Sequence, residues 1–126
     1  MHPFARRVYT FAGIYGVIVM LPQYFLEDRI GRDTPPAITH PEYFYGFIGI
    51  VLAWQLAFLV IGRDPARFRA LMPVTVLEKL AFAVPVGMLY SQGRVVQTTL
   101  LFGAIDLVLG ILFFVSYRRV GAAIPA

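Results

Sequence analysis

The chain has no cysteine and only 2 histidines among its 126 residues. Without cysteine there is no disulfide framework, thiolate metal site, iron–sulfur cluster or cysteine nucleophile. Two histidines leave little room for zinc or haem, so no metal and no cofactor is expected. Charge is also scarce: 14% of residues are charged, while 59% are hydrophobic and 15% aromatic, with a mean hydropathy of +0.72. A soluble domain carries roughly 25% charged residues. This composition leaves too little polar surface to cover a soluble globule, and it predicts an integral membrane protein.

Other signatures are missing as well. No glycine-rich loop follows a strand and there is no Walker pattern, which argues against nucleotide binding. Ser91 and Ser116 fall at predicted helix ends without a nearby histidine, so no nucleophile stands beside a base and the catalytic residues are unknown. The net charge of +4 comes from 11 basic and 7 acidic residues. The basic residues are split into pairs and triplets beside apolar runs, a distribution that excludes a nucleic-acid surface.

Four apolar runs are long enough to cross a bilayer: residues 8–26, 43–62, 71–93 and 96–117. Each approaches the roughly 20 residues that a spanning helix needs. The first is expected to stay as a span, because it is longer than a signal-peptide core and has no small-x-small cleavage site. Residues 1–126 therefore read as one all-α transmembrane domain, a four-helix bundle running up-down-up-down. Its one long connection is an outer loop over residues 27–42, in which Pro35 and Pro36 predict a rigid, non-helical path. Thr39 to Glu42 fits a capping box opening the second helix. Pro22 and Pro85 predict kinks within the first and third helices, and Gly93 predicts the end of the third.

Arg6, Arg7, Arg63, Arg67, Arg69, Arg118 and Arg119 flank one side of the predicted spans, against Arg29, Arg32 and Arg94 on the other. Positive-inside bias then places both termini in the cytoplasm of a bacterial inner-membrane protein. The basic side can contact anionic lipid headgroups at about 1 kcal/mol per residue. Aromatic belts agree with this placement: Tyr24, Phe25, Tyr43, Phe44, Tyr45 and Tyr90 at the outer interface, Tyr9, Phe11 and Tyr117 at the inner one. Rows of small residues at helical spacing, such as Ala12 and Gly16 or Gly103 and Gly110, allow close packing within the chain or onto a second copy.

The informative residues are the polar ones at membrane depth. Glu78, Lys79 and Asp106 are ionisable, and Gln55 is a neutral companion. Each buried charge there costs about 2.5–3.5 kcal/mol on insertion scales, so each needs a partner or a use. At 1.5 Å per residue Gln55 and Glu78 lie roughly 10 Å deep and Asp106 roughly 16 Å deep. Consecutive residues point about 100° apart on a helix, which predicts Lys79 with Asp106, and Glu78 with Gln55 or Trp54. Trp54, Phe58, Phe82 and Phe102 would wall this layer. Thr75 to Glu78 also fits a capping box, which would start the third helix at Thr75 and bring Glu78 and Lys79 near the headgroups. Both placements remain open from the sequence, as do a functional and a purely structural role for the charges.

The four-helix count and length resemble those of small multidrug exporters, but the acid of their first helix is missing, since no acid precedes Glu27. The layout is similar to that of the DoxX-like membrane proteins and of the sterol-isomerase and sigma-two-receptor (EXPERA) group, with Trp54, Glu78 and Asp106 as loose counterparts of buried cavity residues. Ala-Trp-Gln, Val-Leu-Glu-Lys and Ala-Ile-Asp-Leu, within residues 43–119, also resemble elements of small bacterial four-span inner-membrane proteins of uncharacterised activity. The resemblance to the sterol-isomerase group implies a lipophilic cavity. Trp54, Gln55, Glu78, Lys79 and Asp106 are therefore the candidate ligand-binding residues, for a lipophilic ligand that is a lipid or a cation. An accessory subunit of a homo-oligomer or larger membrane complex is a second expectation, and a proton-coupled small transporter a third.

Overall fold

The computed structural model describes residues 1–123, which are mostly helical and contain no strand. Five α-helices form: α1 (Pro3–Met20), α2 (Glu27–Asp33), α3 (Pro41–Arg63), α4 (Met72–Ser91) and α5 (Gln97–Ala123). Four are long and apolar enough to cross a membrane, once short 3₁₀ turns at Leu21–Phe25 and Arg69–Leu71 are counted with α1 and α4.

The helix ends follow from local chemistry. Pro3 and Pro41 open α1 and α3 in the first turn, where a missing N–H costs nothing. Pro22 cannot donate to Ile18, and there α1 tightens into the 3₁₀ turn Leu21–Phe25. Pro85 sits inside α4 and leaves the Ala81 carbonyl without its helical donor. At the end of α4, Arg94 N–H donates to Leu89 at 2.9 Å and Gly93 N–H to Tyr90 at 2.9 Å. This double closure needs a left-handed residue, supplied by Gly93 at φ 71°.

Three local expectations are corrected. The connection between α1 and α3 is not wholly extended, because residues before Pro35 form α2, with acids Glu27 and Asp28 in its first turn and Arg32 in its last. Pro35 and Pro36 act only beyond it. Thr39 does not cap α3: the N-cap is His40, without a side-chain cap bond, and Glu42 instead meets His40 Nδ1 at 3.2 Å. Nor does α4 begin at Thr75. It starts at Met72, and the Thr75 hydroxyl donates back to the Met72 carbonyl at 2.6 Å, which carries Glu78 and Lys79 past the first turn.

Packing is uneven. α1 lies along α3 and α4 along α5, and α1 also meets α5. α3 and α4 are not a closely packed pair among the described residues. Glycines set these contacts: an added Cβ at Gly13 would sit 2.6 Å from Leu59, and one at Gly103 would sit 2.9 Å from Val86. A Cβ at Gly16 would collide with the side chain of Gln55. The rows of small residues thus bring α1 to α3 and α5 to α4 within one chain.

The core gathers where the arginines flank the helices. Tyr9 stacks on Phe113 at 4.3 Å between centroids, and Phe58 meets Phe113 at 4.9 Å. Tyr9 is fully buried and its hydroxyl pairs with the Thr75 hydroxyl at 2.8 Å. It is therefore a core residue and not the belt residue its place near Arg6 and Arg7 predicts. Arg69 closes this end, lying 3.9 Å from the Tyr117 ring centroid and donating to the Tyr117 carbonyl at 3.1 Å.

Candidate functional site

Because α3 and α4 stand apart, a cavity of about 610 Å³ opens between them, with α1 and α5 behind it. Its walls are mainly apolar, and Phe47, Phe82 and Phe102 supply the large rings. Phe47 and Phe82 approach across the gap, at 6.4 Å between centroids. Leu26, Ile30 and Thr34 bring the α1–α3 connection over one end, which gives α2 a place in the site. At the other end are Gln55, Glu78, Lys79 and Asp106.

Lys79 organises this polar end. Its Nζ donates to Asp106 Oδ1 at 3.2 Å and lies 3.5 Å from Glu78 Oε2. The lysine side chain is 5% exposed, against 15% for Glu78 and 19% for Asp106. The expected pairing of Lys79 with Asp106 is present. The expected separation of Glu78 from Lys79 is not. The flexible lysine stem reaches a carboxylate on the neighbouring position even though the two Cα–Cβ bonds diverge, so one ammonium serves two acids. That ammonium also lies 5.1 Å from the centroid of the Phe58 ring, which sets the layer on the aromatic core.

Gln55 is 1% exposed, and its amide N–H donates to the Val51 carbonyl at 2.8 Å. Gln55 Oε1 and Glu78 Oε2 are buried with no hydrogen-bond partner among the described residues. Gln55 therefore does not satisfy Glu78, although both line the cavity. Trp54 is placed elsewhere, against Phe58 at 6.4 Å between centroids and on the buried core. Neither Trp54 nor Phe58 walls the cavity: the turn of α3 that carries Gln55 to it directs these rings into the packing behind it. Of the five candidate residues, four meet at one site.

The polar lining residues that the sequence does not single out are Tyr15 on α1, Gln23 in the 3₁₀ turn after it, and Thr98 and Thr99 on α5. They carry no charge into an apolar run, so periodicity gives no sign of them until the facing helices are known. Among the described residues no group of three His, Cys, Asp or Glu is arranged to hold a metal ion.

The site's chemistry is that of an imbalance. It holds two carboxyl groups and one ammonium inside an apolar bundle, with Asp106 Oδ2 and Glu78 Oε1 accepting no hydrogen bond from the described residues. Such a layer suits a donor group or a positive charge at the end of an apolar body. Comparison with known proteins finds no protein-family model, no curated protein and no solved structure that matches the chain.

Proposed function

We propose that the chain is a four-span membrane protein that holds one lipophilic ligand in this cavity, apolar body among Phe47, Phe82 and Phe102, polar or cationic end toward Glu78, Lys79 and Asp106. The observation that carries the reading is the cavity of about 610 Å³ that ends in a carboxylate-rich layer. Small-molecule pockets fall at about 300–1,000 Å³, apolar with a few convergent polar groups. The rows of small residues support the same reading over an accessory subunit, since Gly13, Gly16, Gly103 and Gly110 already have neighbours within the chain.

The proposed setting is a bacterial inner membrane, with the long helices running up-down-up-down and both termini cytoplasmic. Arg6, Arg7, Arg63, Arg67, Arg69, Arg118 and Arg119 support that orientation by the positive-inside rule. A fluorescent fatty amine titrated into purified protein tests the reading. Val51→Trp, which puts an indole into the middle of the cavity between Phe47 and Gln55, is expected to weaken binding at least tenfold, by the loss of space for the ligand. Equal binding by the wild type and the obstructed variant would refute it.

A further inference from the structure

We propose that the polar layer is a proton–cation exchange site, in which a lipophilic ammonium ion binding against Glu78 and Asp106 displaces one proton from them. The proposal rests on the ligand-binding reading above and adds the charge of the ligand and what leaves when it binds.

The argument is a count of charges in a place where charge is costly. Glu78 and Asp106 lie within reach of one compensating group, the Lys79 ammonium, at 3.5 Å and 3.2 Å. Other groups facing the layer do not change the balance. From α1 comes the Tyr15 phenol and from α3 the Gln55 amide, while Gln23, Thr34, Thr98 and Thr99 line the cavity farther along and carry no charge. From α2 the cavity meets Ile30, while the ionic pair Arg29–Asp33 is exposed to the outside, its side chains 70% and 67% accessible. With both carboxyl groups ionised the layer carries one net negative charge inside an apolar bundle, a state the low dielectric disfavours. One retained proton makes the empty layer neutral.

An ammonium ion brings the same neutrality by another route. It places its N–H donors on carboxylate oxygens that accept no hydrogen bond from the described residues, Glu78 Oε1 and Asp106 Oδ2. The O–H bond of the protonated carboxyl breaks, its electron pair stays on the carboxylate oxygen, and the proton leaves to water. The layer begins and ends neutral, and the exchange is one proton for one cation. Lys79 stays charged throughout, held between the two acids and above the Phe58 ring, which fixes the stoichiometry at one.

The test compares decylamine with decanol, matched apolar bodies with a cationic and a neutral end, in weakly buffered detergent solution at about pH 7, where an alkylamine is protonated. An indicator dye counts protons while binding is followed by displacement of a fluorescent lipophile. About one proton per bound decylamine is expected, none for decanol, and a decylamine affinity that tightens by up to tenfold per pH unit while the layer still holds its proton. Asp106→Asn leaves Lys79 balanced by Glu78 alone, so proton release is expected to vanish and the preference for amine over alcohol to fall at least tenfold. The proton count on the wild-type protein decides the matter even where that variant fails to fold. Decylamine binding without proton release and with the same affinity at every pH would overturn the exchange while leaving the cavity reading intact. Failure of both compounds to bind, or binding of both to Val51→Trp as to the wild type, would overturn both.

Discussion

One half of this bundle is filled and the other is hollow, although both are built from the same helices and the same kinds of residue. In the filled half, Tyr9, Phe58 and Phe113 interlock from α1, α3 and α5, with Ile61, Met72 and Val120 around them. In the hollow half the rings of Phe47, Phe82 and Phe102 line space instead of filling it. The difference teaches that apolar composition does not set packing in a membrane. Lipid is as apolar as the core, so helices close only where shape and hydrogen bonds draw them together. Tyr9 and Thr75 supply such a bond between α1 and α4 in the filled half. In the hollow half α3 and α4 have no comparable bond among the described residues, and the Lys79 layer on the boundary ties α4 to α5 only.

The largest expected effect lies in the filled half. Phe58 is fully buried, touches Tyr9, Trp54 and Phe113, and lies under the Lys79 ammonium. Phe58→Ala should cost about 3–5 kcal/mol through the cavity it leaves. Denaturant unfolding of purified protein in mixed micelles measures it, and a loss under about 1 kcal/mol would show that this half is less well packed than its geometry indicates.

Gly103→Ala sharpens the comparison from another side, because Gly103 lies near the hollow half yet on the close α4–α5 contact. The added methyl would sit 2.9 Å from a branched Val86 methyl. A β-branched side chain has little freedom to move aside, so overpacking of about 1–3 kcal/mol is expected in the same unfolding experiment. A neutral result would mean that the α4–α5 pair yields as easily as α3 and α4 stand apart.

How much of this could be read beforehand differs between the halves for physical reasons. The long helices follow from the apolar runs, the end of α4 from Gly93, and the Lys79–Asp106 pair from there being one lysine and one aspartate at that depth. The distance of Tyr9 from Arg7 says only how deep it lies, whereas its burial depends on Phe113 and Thr75, remote in sequence. The contact of Glu78 with Lys79 does not follow from Cβ directions, which ignore the reach of a lysine stem. α2 was hidden by the prolines that follow it. The charges at membrane depth mark where the cavity ends, but its size and position have no sequence signal, since they exist only through the separation of α3 from α4.

Tyr9→Phe probes the hydrogen bond that helps to close the filled half. It keeps the ring stacked on Phe113 and removes only the hydroxyl that meets Thr75. Thr75 retains its own bond to the Met72 carbonyl at 2.6 Å, so no donor is left stranded, and the expected loss is about 1 kcal/mol. A loss of several kcal/mol would mean that this one bond, more than ring packing, separates the two halves.

The smallest effect is expected from the matched truncation on the hollow side. Phe102 lies on the cavity wall and is 38% exposed, whereas Phe58 is buried at 0%. Removing a ring that already borders open space deprives few neighbours of contact, so Phe102→Ala should cost less than about 1 kcal/mol. The same change removes an apolar wall, and binding of a lipophilic probe should weaken even as unfolding stays almost unmoved. Unfolding and binding measured on one preparation separate the two consequences. If Phe102→Ala destabilised the protein as much as Phe58→Ala, the ring would have to be packed against more than the cavity offers, and the contrast between a filled and a hollow half would fail. Unchanged stability with weakened binding is what a wall shaped for an occupant, and not for its neighbours, requires.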